Sequence, residues 1–135
     1  MKLPHCLYFF WLLLLCNGAP LGIEDKSETV IKLIEKEKWV VVKFYSDWCH
    51  CCKESEEPFT TAAEMIKESN RNITIIKVNT DKAHQLAERD GVKTIPAILF
   101  YRNGTKIDKF EGDVMRSEDI AKWALQNAKD VSCMT

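Results

Sequence analysis

No charge of one sign dominates this chain: nineteen lysines and arginines stand against twenty aspartates and glutamates. Without a broad field, nothing draws it to nucleic acid or to an acidic membrane surface, so neither partner is expected. Nor does any apolar run reach the roughly 20 residues that a bilayer-spanning helix needs; Leu7 to Cys16 has ten. Internal repeats, linkers and low-complexity tracts are absent too, and 135 residues leave no room for a second domain. What remains, 46% apolar and 29% charged, fits one globular domain with a real core.

The short apolar run has its own meaning. Lys2 precedes it and the small residues Gly18 and Ala19 follow, which is the pattern of a secretory signal peptide. Residues 1–18 are therefore expected to be a signal peptide, with Gly22 as the alternative cleavage point, and residues 19–135 the mature domain. Cys6 and Cys16 leave with the signal, and Cys49, Cys51, Cys52 and Cys133 remain where disulfides can form. The closing "DVSCMT" has no retrieval signal and too few residues behind Cys133 for prenylation. The expected location is the endoplasmic reticulum lumen or outside the cell, with no membrane association after signal removal. Asn72-Ile73-Thr74 and Asn103-Gly104-Thr105 are N-glycosylation acceptor sequons, and the second reads equally well as a tight hairpin turn.

Helical and extended patterns alternate from Ser27 onward. Ser27 can cap a helix with Val30, Ile31, Leu33 and Ile34 on one face. "WVVVKFY", Trp39 to Tyr45, is β-rich with little alternation, as for a central strand covered on both sides. Cys49 to Ser69 reads as a helix bent or restarted by Pro58. Ile73 to Val78 is a strand, Asp81 to Asp90 a helix stopped by Gly91, and Ala97 to Tyr101 a strand that Asn103-Gly104 turns into Lys106 to Phe110. Ser117 can cap a last helix with Ile120, Ala121, Ala124 and Leu125 inward. Such alternation demands an α/β fold, a sheet flanked by helices with an antiparallel edge.

Three cysteines and a histidine crowd into Cys49-His50-Cys51-Cys52, directly after the central strand. Cysteines so close cannot staple distant elements, so the cluster is local chemistry. At the start of a helix the Cys49 sulfur meets unpaired backbone amides that stabilise thiolate, making it the candidate nucleophile. Cys52 lies one helical turn on, within reach of a reversible disulfide. A protonated His50 would lower the Cys49 pKa further; the other reading is a solvated surface histidine. Cys51 reads as a small half-buried hydrophobe, an alternative bridge to Cys49, a link to another chain, or a metal ligand. Metal is the lesser reading, because His84 and Cys133 form no second ligand pair.

"FYSDWCHCCKE" resembles the active-site segment of the thioredoxin superfamily, above all the catalytic domains of protein disulfide isomerases. "VVVKFY", the flanking Trp48 and Lys53, "IIKVNTDKAHQLAERDGVKTIPAILFYRNG" and "KFEG" extend the likeness over about residues 27–128. The resemblance implies a thioredoxin-like fold with a central mixed β-sheet flanked by helices. It implies Cys49 as attacking thiolate, Cys52 as resolving thiol, Trp48 and Lys53 as active-site neighbours, and Pro96 as a cis-proline that presents the Ile95 backbone to an extended substrate. Cysteine-containing client proteins and a redox partner or glutathione would be the partners, and the disulfide itself replaces any cofactor.

Five departures from the family pattern stand out. His50-Cys51 replaces the usual Gly-His or Gly-Pro, Pro58 falls one place late, and the opening strand is short or missing, with only "PLGIE" to form it. Lys43 stands where the family has a buried acid beneath the active site. If buried near Cys52, it would hold thiolate by attraction or lose its proton and act as a base; otherwise its ammonium reaches water. The family's mobile arginine also has no clean counterpart, since Asp113 occupies its place and Arg116 fits only with two residues inserted. The expected function is thiol–disulfide exchange on secretory proteins. The alternative is a binding module or chaperone of the same fold with little turnover.

Overall fold

The computed structural model describes residues 27–129. The signal peptide, the "PLGIE" segment of the expected first strand, and Cys133 lie outside the described residues. The elements are α1 (Ser27–Lys36), β1 (Trp39–Tyr45), α2 (His50–Glu54), α3 (Glu56–Ser69), β2 (Ile73–Asn79), α4 (His84–Arg89), β3 (Ala97–Arg102), β4 (Thr105–Lys109) and α5 (Ser117–Asn127).

The strands form one mixed sheet in the order β2-β1-β3-β4. β1 runs parallel to β2 and antiparallel to β3, and β4 returns antiparallel along β3. Because β1 is central, its side chains are buried on both faces, which is why the sequence there does not alternate. One face carries Val41, Ile75 and Phe100 against Phe59 and Ile66 of α3 and Ile120 and Ala124 of α5. The other carries Val40, Val42, Phe44 and Leu99 against Val30 and Ile34 of α1 and Leu86 of α4. Among the described residues no helix is long and apolar enough to cross a membrane.

The β3–β4 hairpin turns at Asn103 and Gly104, with φ of 48° and 86°. Two consecutive positive φ values are what a tight two-residue hairpin requires, so the turn reading of this sequon holds. Gly112 is constrained differently. A Cβ there would lie 2.6 Å from Cζ of Phe110, whose ring packs edge-on against Trp123 with centroids 5.5 Å apart. Gly112→Ala is expected to lower stability by about 1–3 kcal/mol through that overlap, and a urea melt reads it.

Several local expectations need correction. The long helix breaks at Ser55, not at Pro58, which sits in the first turn of α3 where a missing N–H goes unnoticed. The helix expected from Asp81 covers only His84–Arg89. Neither serine acts as the expected cap: the Ser27 hydroxyl accepts from the Leu86 N–H on α4, and the Ser117 hydroxyl donates to the Pro58 carbonyl on α3. Both hydroxyls tie helices together, a use that local sequence does not reveal.

Candidate functional site

β1 ends at Tyr45 and delivers the chain to Cys49, which takes the N-cap position of α2 with extended backbone angles. Its sulfur accepts a hydrogen bond from the Cys52 N–H at 3.1 Å. An amide aimed at that sulfur favours negative charge there once the disulfide opens. Cys49 and Cys52 form a disulfide with Cα atoms 5.2 Å apart, and both are buried. Cys51 points away on the exposed side of α2 as a free thiol, so the half-buried reading of it is corrected. His50 is exposed as well, its Nε2 3.1 Å from Glu54 Oε1 on the next turn, and Lys53 is exposed. Among the described residues no group of three or more His, Cys, Asp or Glu is placed to hold a metal ion.

The loop before β3 faces the disulfide. The Ile95–Pro96 bond is cis, and the Ile95 carbonyl oxygen lies 3.8 Å from the Cys49 sulfur. Beside it runs a groove of about 370 Å³ lined by Trp48, Thr80, His84, Val92 and Ile95 among others. Trp48 is 72% exposed, yet its indole N–H donates to the Asp81 carboxylate at 3.1 Å. Asn79 continues this link by donating to Asp47 at 3.4 Å and accepting from the Asp81 N–H at 2.9 Å. Asn79 and Asp81 thus hold the Trp48 loop. Nothing in the local sequence signals their role, because the contact spans more than thirty residues.

Beneath the disulfide lies Lys43, 1% exposed. Its Nζ donates to the Cys52 carbonyl at 3.2 Å, and the Ser55 hydroxyl donates to the same oxygen at 3.1 Å. The ammonium sits over the Phe59 ring, 5.5 Å from its centroid. The reading in which Lys43 reaches water is therefore wrong. The β1–β2 register sets Lys43 opposite Lys77, and Lys77 Nζ pairs with Glu56 Oε1 at 2.8 Å. Burial lowers the Lys43 pKa from 10.5 to about 8; Glu56 opposes that fall and Lys77 adds to it. The hydrogen bond from Lys77 holds the Glu56 carboxyl below its usual value.

Arg116 pairs with Asp119 at 3.2 Å on the exposed start of α5, and the Asp113 carboxylate accepts from the Met115 N–H at 2.9 Å. Asn72 and Asn103 are both exposed.

A paired disulfide at a helix start, a cis-proline opposite it and this sheet order define a thioredoxin-fold redox domain. The thioredoxin family model matches residues 23–126, and the chain belongs to that family. It is 31% identical over 122 residues to chicken (Gallus gallus) protein disulfide-isomerase, covering 82% of this chain and 24% of that protein. It is 37% identical over 79 residues to mitochondrial thioredoxin-2 of Schizosaccharomyces pombe, covering 58% of this chain and 56% of that one. Among solved structures, the first two thioredoxin domains of Naumovozyma dairenensis Eps1p align with a TM-score of 0.72 at 24% identity over 84% of this chain and 43% of that one. The zinc-bound form of human ERp44 aligns at 0.69 and 23%, over 78% and 31% respectively. The chain thus spans a quarter to about half of the first two relatives.

Proposed function

We propose that this protein is a thiol–disulfide oxidoreductase acting on cysteines of other proteins in the secretory pathway. The observation that carries the reading is the Cys49–Cys52 disulfide beside the Ile95–Pro96 loop. In the reductive direction the Cys49 thiolate attacks a client disulfide, forming a mixed disulfide and releasing one client thiolate. Cys52 then gives up its proton and attacks the Cys49 sulfur, releasing the second client thiolate and leaving the enzyme disulfide. Two electrons pass from the enzyme dithiol to the client, and the reverse sequence oxidises it. An extended client would lie along the groove between Trp48 and Ile95, pairing with backbone whatever its side chains. Likeness to protein disulfide isomerases and the amino-terminal pattern support the endoplasmic reticulum or secretion, and glutathione or a partner protein would recharge the site.

The test is entrapment. With Cys52→Ser, the Cys49 thiolate is expected to attack a denatured, disulfide-bonded client protein and remain in the mixed disulfide, visible as a reducible adduct at Cys49. A binding module would form no such adduct and would retain its client equally well with both cysteines changed.

A further inference from the structure

Lys43 is unusual in being a buried cation held directly against the backbone of a disulfide cysteine. Charged side chains are rarely buried unless paired. Lys43 rests on a backbone carbonyl and an aromatic face, while Glu56, which attracts it, is committed to Lys77. The groups around it are readily named. Cys52 of α2 lies above, Glu56 and Phe59 belong to α3, Lys77 stands alongside on β2, and Ile98 is the β3 neighbour. The inward residues of α5 on this face, Ile120, Ala121 and Ala124, carry no charge.

We propose that Lys43 and the Cys52 thiol share one proton: the amine accepts it as Cys52 turns to attack the mixed disulfide, and the resulting ammonium holds the Cys52 thiolate until it attacks. The inference rests on the oxidoreductase reading and adds to it the group that governs resolution. The balance is simple. Cys52–SH and Lys43–NH2 become Cys52–S⁻ and Lys43–NH3⁺. The thiolate displaces the client thiolate from Cys49, and the ammonium returns its proton to solvent or to the departing sulfur. Three features support this. Burial makes the amine form accessible near neutral pH, the bond to the Cys52 carbonyl fixes the lysine under that residue, and Glu56 with Lys77 supplies opposing charges that set the balance. Since Lys43 is seen to touch the Cys52 backbone, it is a positioning residue that acts through that thiol.

The test titrates Cys52 in the reduced full chain carrying Cys49→Ser, using iodoacetamide and site-resolved mass spectrometry. Lys43→Met is expected to move the Cys52 midpoint upward, lowering its ionised fraction near neutral pH about tenfold or more. Lys43→Arg keeps the positive charge but cannot surrender a proton. It should hold the midpoint low while removing the lysine inflection from the pH profile of mixed-disulfide resolution, measured with Cys49 intact. An unchanged Cys52 midpoint in a folded Lys43→Met protein overturns the proposal. Should that variant fail to fold, Glu56→Gln removes the attraction that retains the lysine proton and is expected to shift the resolution profile to lower pH; an unmoved profile overturns it equally. The alkylation arm needs no client, so the entrapment test can fail without altering it.

Discussion

Cys49→Ser is expected to reduce the turnover of a protein disulfide by more than about a thousandfold, a loss of over roughly 4 kcal/mol of transition-state stabilisation. A hydroxyl cannot form the mixed disulfide, and neither neighbouring thiol is placed to replace it. Cys52 is buried, and it is the Cys49 sulfur that lies 3.8 Å from the Ile95 carbonyl oxygen. Cys51 is free but projects from the exposed side of α2, away from the Ile95 carbonyl that flanks the reacting sulfur. Insulin reduction in the presence of dithiothreitol measures the loss. Activity surviving in Cys49→Ser and vanishing in Cys49→Ser with Cys51→Ser would assign attack to Cys51 and overturn the role given to Cys49. The variant must be compared with the reduced wild type. Closing a loop between residues three apart stabilises the fold by about 2 kcal/mol in the chain-entropy picture, and the oxidised wild type has that advantage whatever its chemistry.

What could be read from the sequence follows a physical boundary. β1 was legible because a strand buried on both faces must be apolar throughout, and "WVVVKFY" satisfies that with a single exception. The Cys49–Cys52 pair was legible because helical spacing alone brings them together. The hairpin at Asn103-Gly104 was legible because few residues accept its positive φ values. What failed was whatever depended on a partner far along the chain. Ser27 and Ser117 have the chemistry of helix caps, but Leu86 and Pro58 use their hydroxyl groups. Asp81 looked like part of a helix, yet it holds the Trp48 indole. The break at Ser55 is the subtlest case. Proline marks where a helix can restart, but the carbonyl freed for other partners belongs to Cys52, six residues earlier, and Lys43 and Ser55 occupy it. That single exception in β1 is therefore the residue whose meaning required three dimensions.

Lys43→Met is expected to stabilise the oxidised protein at pH 7 by about 2 kcal/mol and to lose that advantage as the pH rises. Burial lowers the lysine pKa to about 8 in the fold, against 10.5 when unfolded. Between these values the unfolded chain binds more protons than the folded one, so wild-type stability climbs with pH across that window. Below about pH 8 the penalty for holding the charge inside is fully present, about 3 kcal/mol for a shift of this size. Above 10.5 it is gone. Methionine fills much the same volume without charge but cannot donate to the Cys52 carbonyl, which offsets the gain by about 1 kcal/mol. The difference between variant and wild type should therefore fall steadily from pH 8 and change sign near pH 10, where the remaining charge penalty equals the lost hydrogen bond. Urea unfolding of both disulfide-bonded proteins from pH 7 to 10.5 reads this difference, with groups common to both cancelling. Parallel curves would mean that Lys43 keeps its proton as firmly in the fold as in water. In that event burial would carry no net electrostatic penalty, and Glu56 would have to compensate the charge far more strongly than its exposed pairing with Lys77 at 2.8 Å suggests.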